Sequence, residues 1–355
     1  MKFNFSITAL LLSACLLCGA TATHAQKTTD KAKDKHTGTG QGEAKGTGQG
    51  KGQGMGQGEG EATSQVTESA VATTETVNVS LTTGSGRISV HGWDRKEVRA
   101  QVMQAGAKIE MRKTGGTDAA NPAMRLEIMV YEDTEDNAAE DNACDADTDV
   151  TLNVPRGATV YLKTENGDIE VDDVAEAHLE TTDGRIEARR ISKATEAATV
   201  NNDIALEDAN GRVRLNSFSG VIEVRDLRSV DGSDFVKIKT TSGDILLDRI
   251  GPARVEASTI GGELRLLGPL ARGGVYNFTT TTGDVTIALP VDSSFQLNAK
   301  ISEGGEIITE FPLKYKGSAS PLSLLQAGRL LGTYGTGEAA INLVSFSGTL
   351  RLRKQ

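Results

Sequence analysis

Aromatic residues are scarce in this chain of 355: eight Phe, five Tyr and one Trp. A wide core is therefore not expected, and a narrow one must be filled by Ile, Val, Leu and Ala. Past residue 25 no apolar run approaches the roughly 18 residues that a membrane-spanning helix needs, so the mature chain should have no such span. A basic excess is missing too. The net charge is −10, which repels phosphate backbones and argues against a nucleic-acid binder. No HExxH or GxSxG occurs, and CxxC is absent past residue 25, so zinc and serine hydrolysis lack their usual sequences and no cofactor is called for.

The first residues read as an export signal. Lys2 gives a positive start, Ile7 to Leu17 an apolar run, and Thr23-His24-Ala25 a small-residue site, with cleavage before Gln26. The rival reading is a lipobox, Leu12-Ser13-Ala14-Cys15, in which Cys15 is lipidated; the apolar run before it is short for a signal. Either route takes the protein out of the cytoplasm, to the periplasm, the envelope or the exterior. Cleavage at Ala25 leaves Cys144 alone, unable to form an internal disulfide and set among acids that disfavour its thiolate. Residues 26–65, rich in Gly, Lys, Gln and Thr, have almost nothing apolar to bury and read as a disordered tether.

What is abundant is repetition. Leu162-Lys163-Thr164-Glu165-Asn166-Gly167-Asp168-Ile169-Glu170-Val171 recurs, with Gly at 184, 220, 243, 262, 283, 305 and 348, Asn202 in one copy, and an early copy at Gly86. From Gly167 to Gly305 the spacing is 17 to 23 residues, the size of one β-solenoid coil. Positions Gly+2 and Gly+4 are apolar, the period of a strand with one face inward, and Gly−3 is Thr or Ser in every copy. Inward parity changes between Gly−3 and Gly+2, so the chain must bend there. Gly suits a bend with positive φ, and the Thr/Ser hydroxyl can serve backbone groups at the corner. The expected fold is all-β: a single-chain β-solenoid over 156–353, preceded by a β-rich cap over 66–155. A β-sandwich is the alternative. Within the cap, His91-Gly92-Trp93-Asp94 reads as a turn, and Leu322 to Leu331 suggests a short helix near the far end.

Gly86-Arg87-Ile88-Ser89-Val90-His91-Gly92-Trp93-Asp94-Arg95-Lys96-Glu97-Val98, followed by iterated Thr-x-x-Gly-Asp-Ile units, resembles the bacterial family of β-strand-repeat proteins known as "putative adhesin". The resemblance covers most of residues 75–353. It implies an envelope or secreted location and a non-enzymatic surface role, with no catalytic residues to carry over.

Three sets of residues are candidates for chemistry. Loop 132–149 holds nine acids and no base, and Asp145, Asp147 and Asp149 alternate as Ca²⁺ ligands could; the competing reading is a solvated loop. Asp168, Asp203, Asp244 and Asp284 at Gly+1, with Glu263 and Glu306, could stack into an acidic row for cations or sugars, although Arg185 and Val221 interrupt it. Thr279 to Thr282 suggest an ice-binding array, but charged neighbours break its flatness. The function expected is a non-enzymatic secreted or envelope repeat protein, an adhesin or scaffold, whose partner is a surface polysaccharide or protein. The alternative is a carbohydrate-active β-helix enzyme using a stacked pair such as Asp244 with Asp284.

Overall fold

The computed structural model describes residues 66–104, 106–115, 122–132, 148–315 and 328–355. The leader, the tether, Cys144, Asp145 and Asp147 lie outside the described residues. The chain begins with β1 (Thr67–Ser85), β2 (Ile88–Trp93), β3 (Glu97–Val102), β4 (Ala107–Thr114), β5 (Ala123–Glu132) and β6 (Val150–Pro155). Seven regular coils follow, each with two strands. They are β7 (Thr159–Asn166) with β8 (Ile169–Asp172), β9 (Glu176–Thr181) with β10 (Ile186–Arg189), and β11 (Ala194–Thr199) with β12 (Ile204–Glu207). Next come β13 (Arg212–Ser217) with β14 (Ile222–Leu227) and β15 (Phe235–Lys239) with β16 (Ile245–Ile250). The last two are β17 (Arg254–Ser258) with β18 (Leu264–Leu267), and β19 (Val275–Thr280) with β20 (Val285–Leu289). The chain closes with β21 (Phe295–Ile301), β22 (Glu306–Thr309), β23 (Arg329–Tyr334), β24 (Ala339–Ser345) and β25 (Thr349–Lys354).

Odd-numbered strands β7 to β19 lie side by side, parallel and in register, on one face, and even-numbered β8 to β20 on the other. The faces oppose each other as in a sandwich, but the chain changes face at every strand and advances one layer per coil. That is a β-solenoid. Its filling is aliphatic: Ile169, Val171, Ile186, Ile204, Leu206, Ile222, Val224, Ile245 and Leu247 are buried, each over its counterpart in the next layer. Period-2 burial puts these side chains inward and leaves charged residues such as Glu170, Glu187 and Glu223 outside.

Both ends depart from chain order. The second half of β1 and β2 form a layer of their own, against β7 and β8 on one side and β5 and β6 on the other. At the far end β24 and β25 sit between β19/β20 and β21/β22. Eleven layers result, and each terminal strand pair is tucked one layer in from its end. Antiparallel pairing among named strands is confined to the ends: β1 with β3, β3 with β6, β4 with β5, and β21 with β23. The N-terminal β-rich cap is thus made of β3 to β6 and the start of β1, while residues 78–93 of that region wind as a coil. Three aromatics cluster at the other end, where Phe295, Phe311 and Tyr334 pack with ring centroids 4.8–5.7 Å apart.

Two local expectations are corrected. His91, Gly92 and Trp93 are strand rather than turn, because β2 pairs with β6 as far as Trp93↔Pro155. No helix occurs among the described residues; residues 329–331 belong to β23, held antiparallel against β21. The remainder of the expected helix, 322–327, lies outside them.

Candidate functional surface

The corner that carries the repeat is built by three stacked rows. Thr or Ser at Gly−3 is buried in every copy of the repeat but that of Ser302. In three middle layers its hydroxyl works twice, whereas those of Thr83, Thr164 and Ser345 have no hydrogen-bond partner among the described residues. Thr259 Oγ1 accepts the Gly262 N–H at 3.1 Å and donates to the Gly243 carbonyl of the preceding layer at 3.0 Å. Ser217 and Thr240 repeat both bonds, with Gly220 and Asn202, and with Gly243 and Gly220. The glycines themselves serve a purpose other than the one expected. Gly86 has φ +89, but positive φ is absent at the other stacked glycines of this corner. What excludes a side chain is proximity. A Cβ on Gly243 would lie 1.8 Å from the Gly220 carbonyl oxygen, and one on Gly262 1.9 Å from that of Gly243.

The acids form the third row. In spatial order Gly+1 reads Asp149, Arg87, Asp168, Arg185, Asp203, Val221, Asp244, Glu263, Asp284, Thr349, Glu306. Through Asp284, Asp occupies every second layer. Each Asp accepts, through Oδ1, the backbone N–H of the next Gly+1 residue: Asp149 from Arg87 at 2.8 Å, Asp168 from Arg185 at 2.9 Å and Asp203 from Val221 at 2.8 Å. Asp244 accepts from Glu263 and Asp284 from Thr349, both at 2.7 Å. Arg185 and Val221 therefore complete the row instead of interrupting it. Asp149, expected beside Asp145 and Asp147, stands at the head of this ladder.

For hydrolysis the row is poorly arranged. Asp244 and Asp284 are two layers apart, about 9.5 Å at the usual strand spacing, too far for a retaining pair and at the upper limit for an inverting one. One oxygen of each is committed to backbone. Glu263 stands between them, clamped by Arg265 Nε and Nη2 at 2.8 and 2.6 Å. These hydrogen bonds pull its carboxyl below the ordinary carboxylate range, the wrong direction for a general acid at neutral pH. His91 lies on the even-strand face and His178 on the odd, where it stacks on Tyr161 at 4.6 Å. Trp93 donates from Nε1 to the Glu97 carbonyl at 2.7 Å, with Arg95 and Arg99 over its ring. Among the described residues no three His, Cys, Asp or Glu come together to hold a metal.

Positive φ is found at the opposite corner. Asp173, Arg190, Asp208, Asp226 and Arg249, one per layer, have φ between 50 and 61, and Gly268 continues the row at 109. Acids and bases mix there. Arg249 holds Asp226 through Nε and Nη2 at 2.5 and 2.7 Å, and Asp248 through Nη1 at 2.6 Å. Arg190 pairs with Asp172, and Arg228 with Asp208 at 2.9 Å. The hydrogen bonds from Arg249 hold the Asp226 carboxyl below its usual range. The sequence did not announce this corner, because five of its six positive-φ residues are Asp or Arg and only Gly268 is a glycine.

The column has distant likenesses among solved structures. A "putative adhesin" of Parabacteroides distasonis is 10% identical, over 82% of this chain and 98% of its own, with a TM-score of 0.36. A "putative cell adhesion protein" of Clostridium sporogenes is 12% identical over 82% and 100%, with a TM-score of 0.23. A "putative adhesin" of Bacteroides fragilis is 9% identical over 82% and 97%, with a TM-score of 0.32. No curated protein matches the chain. A family model described as Toastrack DUF4097 matches residues 70–353, and the chain belongs to that family.

Proposed function

We propose that this protein is an exported, non-enzymatic repeat protein of the cell envelope or exterior that holds a surface ligand, as an adhesin or scaffold. One observation carries the reading. Eleven layers in register present the same outward positions again and again, so the surface is periodic along the column. A periodic surface suits many weak contacts with a repetitive partner. Export rests on the leader, with cleavage after Ala25 or lipidation at Cys15 as its two forms. No described helix is long and apolar enough to cross a membrane.

The test is adsorption of the purified chain to envelope preparations and to envelope and plant polysaccharides, with released reducing ends followed in parallel. Retention without release supports the proposal. Turnover that Asp244→Ala abolishes would replace it with the carbohydrate-active enzyme.

A further inference from the structure

The turn that closes each repeat carries one residue, at Gly−2, whose backbone ties adjacent layers but whose side chain stays out of the core. Four of these are large, apolar and exposed: Val200 at 42%, Phe218 at 57%, Ile260 at 54% and Phe346 at 47%. They do not scatter. Thr241 and Thr281 stand between them, so from Phe218 the row reads Phe, Thr, Ile, Thr, Phe along consecutive layers. The backbone beneath is fixed. The Phe218 carbonyl accepts from the N–H groups of Thr241 and Ser242 at 3.1 and 3.0 Å, and the Ile260 carbonyl from Thr281 and Thr282 at 3.2 and 2.8 Å.

From Phe218 onward the acidic row has the same two-layer period in the opposite phase; Val200, which shares its layer with Asp203, falls outside the alternation. Layers without a large apolar residue at Gly−2, those of Thr241 and Thr281, carry Asp244 and Asp284 at Gly+1, and Asp203 precedes them beside Val200. None of these three Asp has an ion-pair partner among the described residues; Glu263 is neutralised by Arg265. Between Val200 and Phe346 the turn rows contain no Lys or Arg. From Phe218 onward the edge thus alternates apolar platforms with carboxylates that make no direct ion pair, each repeating every two layers, about 9.5 Å. Arg265 is near enough to act electrostatically on Asp244.

We propose that this edge binds a linear, amine-bearing glycan lying along the column. Its chemistry is that of β-1,4-linked glucosamine: rings with apolar faces to rest on Phe218, Ile260 and Phe346, and ammonium groups to meet Asp203, Asp244 and Asp284. Two β-linked pyranose rings form the repeat of such a chain, which matches the two-layer period. The rigid turns hold the platforms in place before binding, so little ordering is lost. The proposal rests on the adhesive reading above and names its ligand class.

Calorimetry on the full chain tests it, using a β-1,4-glucosamine oligomer long enough to span Phe218 to Phe346. The N-acetylated oligomer is the neutral control of the same geometry. The expected result is binding by the glucosamine oligomer that weakens as salt rises, with the N-acetylated one at least about tenfold weaker. Phe218→Ser and Phe346→Ser should each weaken binding roughly tenfold. Asp244→Asn, which keeps the acceptor oxygen for the Glu263 N–H, should weaken it without loss of fold. Equal binding of both oligomers, or unchanged binding by a combined Phe218→Ser, Ile260→Ser, Phe346→Ser variant, overturns the proposal. If that triple variant still adsorbs to envelope material as wild type does, this edge is wrong and the adhesive reading stands. If wild type binds the oligomer but adsorbs to no envelope, the edge stands and the adhesive reading falls.

Discussion

A single glycine shows what the repeat is for. Gly243 has no backbone need to be glycine, since its φ is not positive, yet the neighbouring layer leaves no room for even a methyl group. Gly232 lies in an open turn with nothing within 4 Å of a would-be Cβ. Gly243→Ala is therefore expected to cost about 3 kcal/mol, at the upper end of overpacking, because carbonyl oxygens of stacked strands cannot move independently. Gly232→Ala should be near neutral. Urea denaturation of the two variants checks the contrast; equal effects would mean that the layers yield where the geometry says they cannot. Thr259 makes a second test at this scale. Thr259→Val keeps shape but leaves the Gly262 N–H and the Gly243 carbonyl without their bridge, at about 1–3 kcal/mol. Thr259→Ser should keep most of the bridge.

At the scale of the strand and its turn, the acids act as ties between layers. Asp244→Ala removes the acceptor for the Glu263 N–H and should lower stability by about 1 kcal/mol, whereas Asp244→Asn should change it little. Glu263 adds a pH dependence. Arg265 lowers its folded pKa beneath the ordinary 4.5, so the stabilisation is complete above that value and fades as pH falls through the folded one. Between about pH 6 and about pH 3, Glu263→Gln should lose less stability than wild type. A wild-type-like loss in the variant would show that the Arg265 pair contributes nothing. The strands around these turns were legible in the sequence, because Gly+2 and Gly+4 need only a period of two. The Thr row was legible in part: a hydroxyl repeated at one position implies backbone partners, which the middle layers supply but Thr83, Thr164 and Ser345 lack among the described residues. The Asp ties were not, because Arg185 and Val221 look like gaps until the layers are ordered in space. Nor were the left-handed Asp and Arg residues of the other corner, where ion pairs such as Arg249–Asp226 accompany a conformation that is ordinarily Gly's and only occasionally that of Asn or Asp.

Over the whole column, topology decides what each part depends on. In a solenoid wound in chain order, cutting the last coil would bare one new end and leave the rest intact. Here β24 and β25 are last in sequence but second from the end in space, and β21 and β22 reach β19 and β20 only through them. Ending the chain after Gly337 therefore does more than remove two strands. It opens a slot one layer wide, strips β21 and β22 of their parallel partners and bares the edges of β19 and β20. Hydrogen exchange on the shortened chain should show residues 295–301 losing protection, although all of them remain present. Residues 204–247, several layers away, should exchange as in wild type, because each layer contacts only its neighbours. Retained protection at 295–301 would mean that the Phe295–Phe311–Tyr334 cluster suffices to hold that end, and that the inserted layer is filling instead of fastening. Chain-order reasoning could not have anticipated this dependence. The repeat marks which residues form a layer, and both ends then place their layers out of turn, which protects each terminal strand with a neighbour on either side.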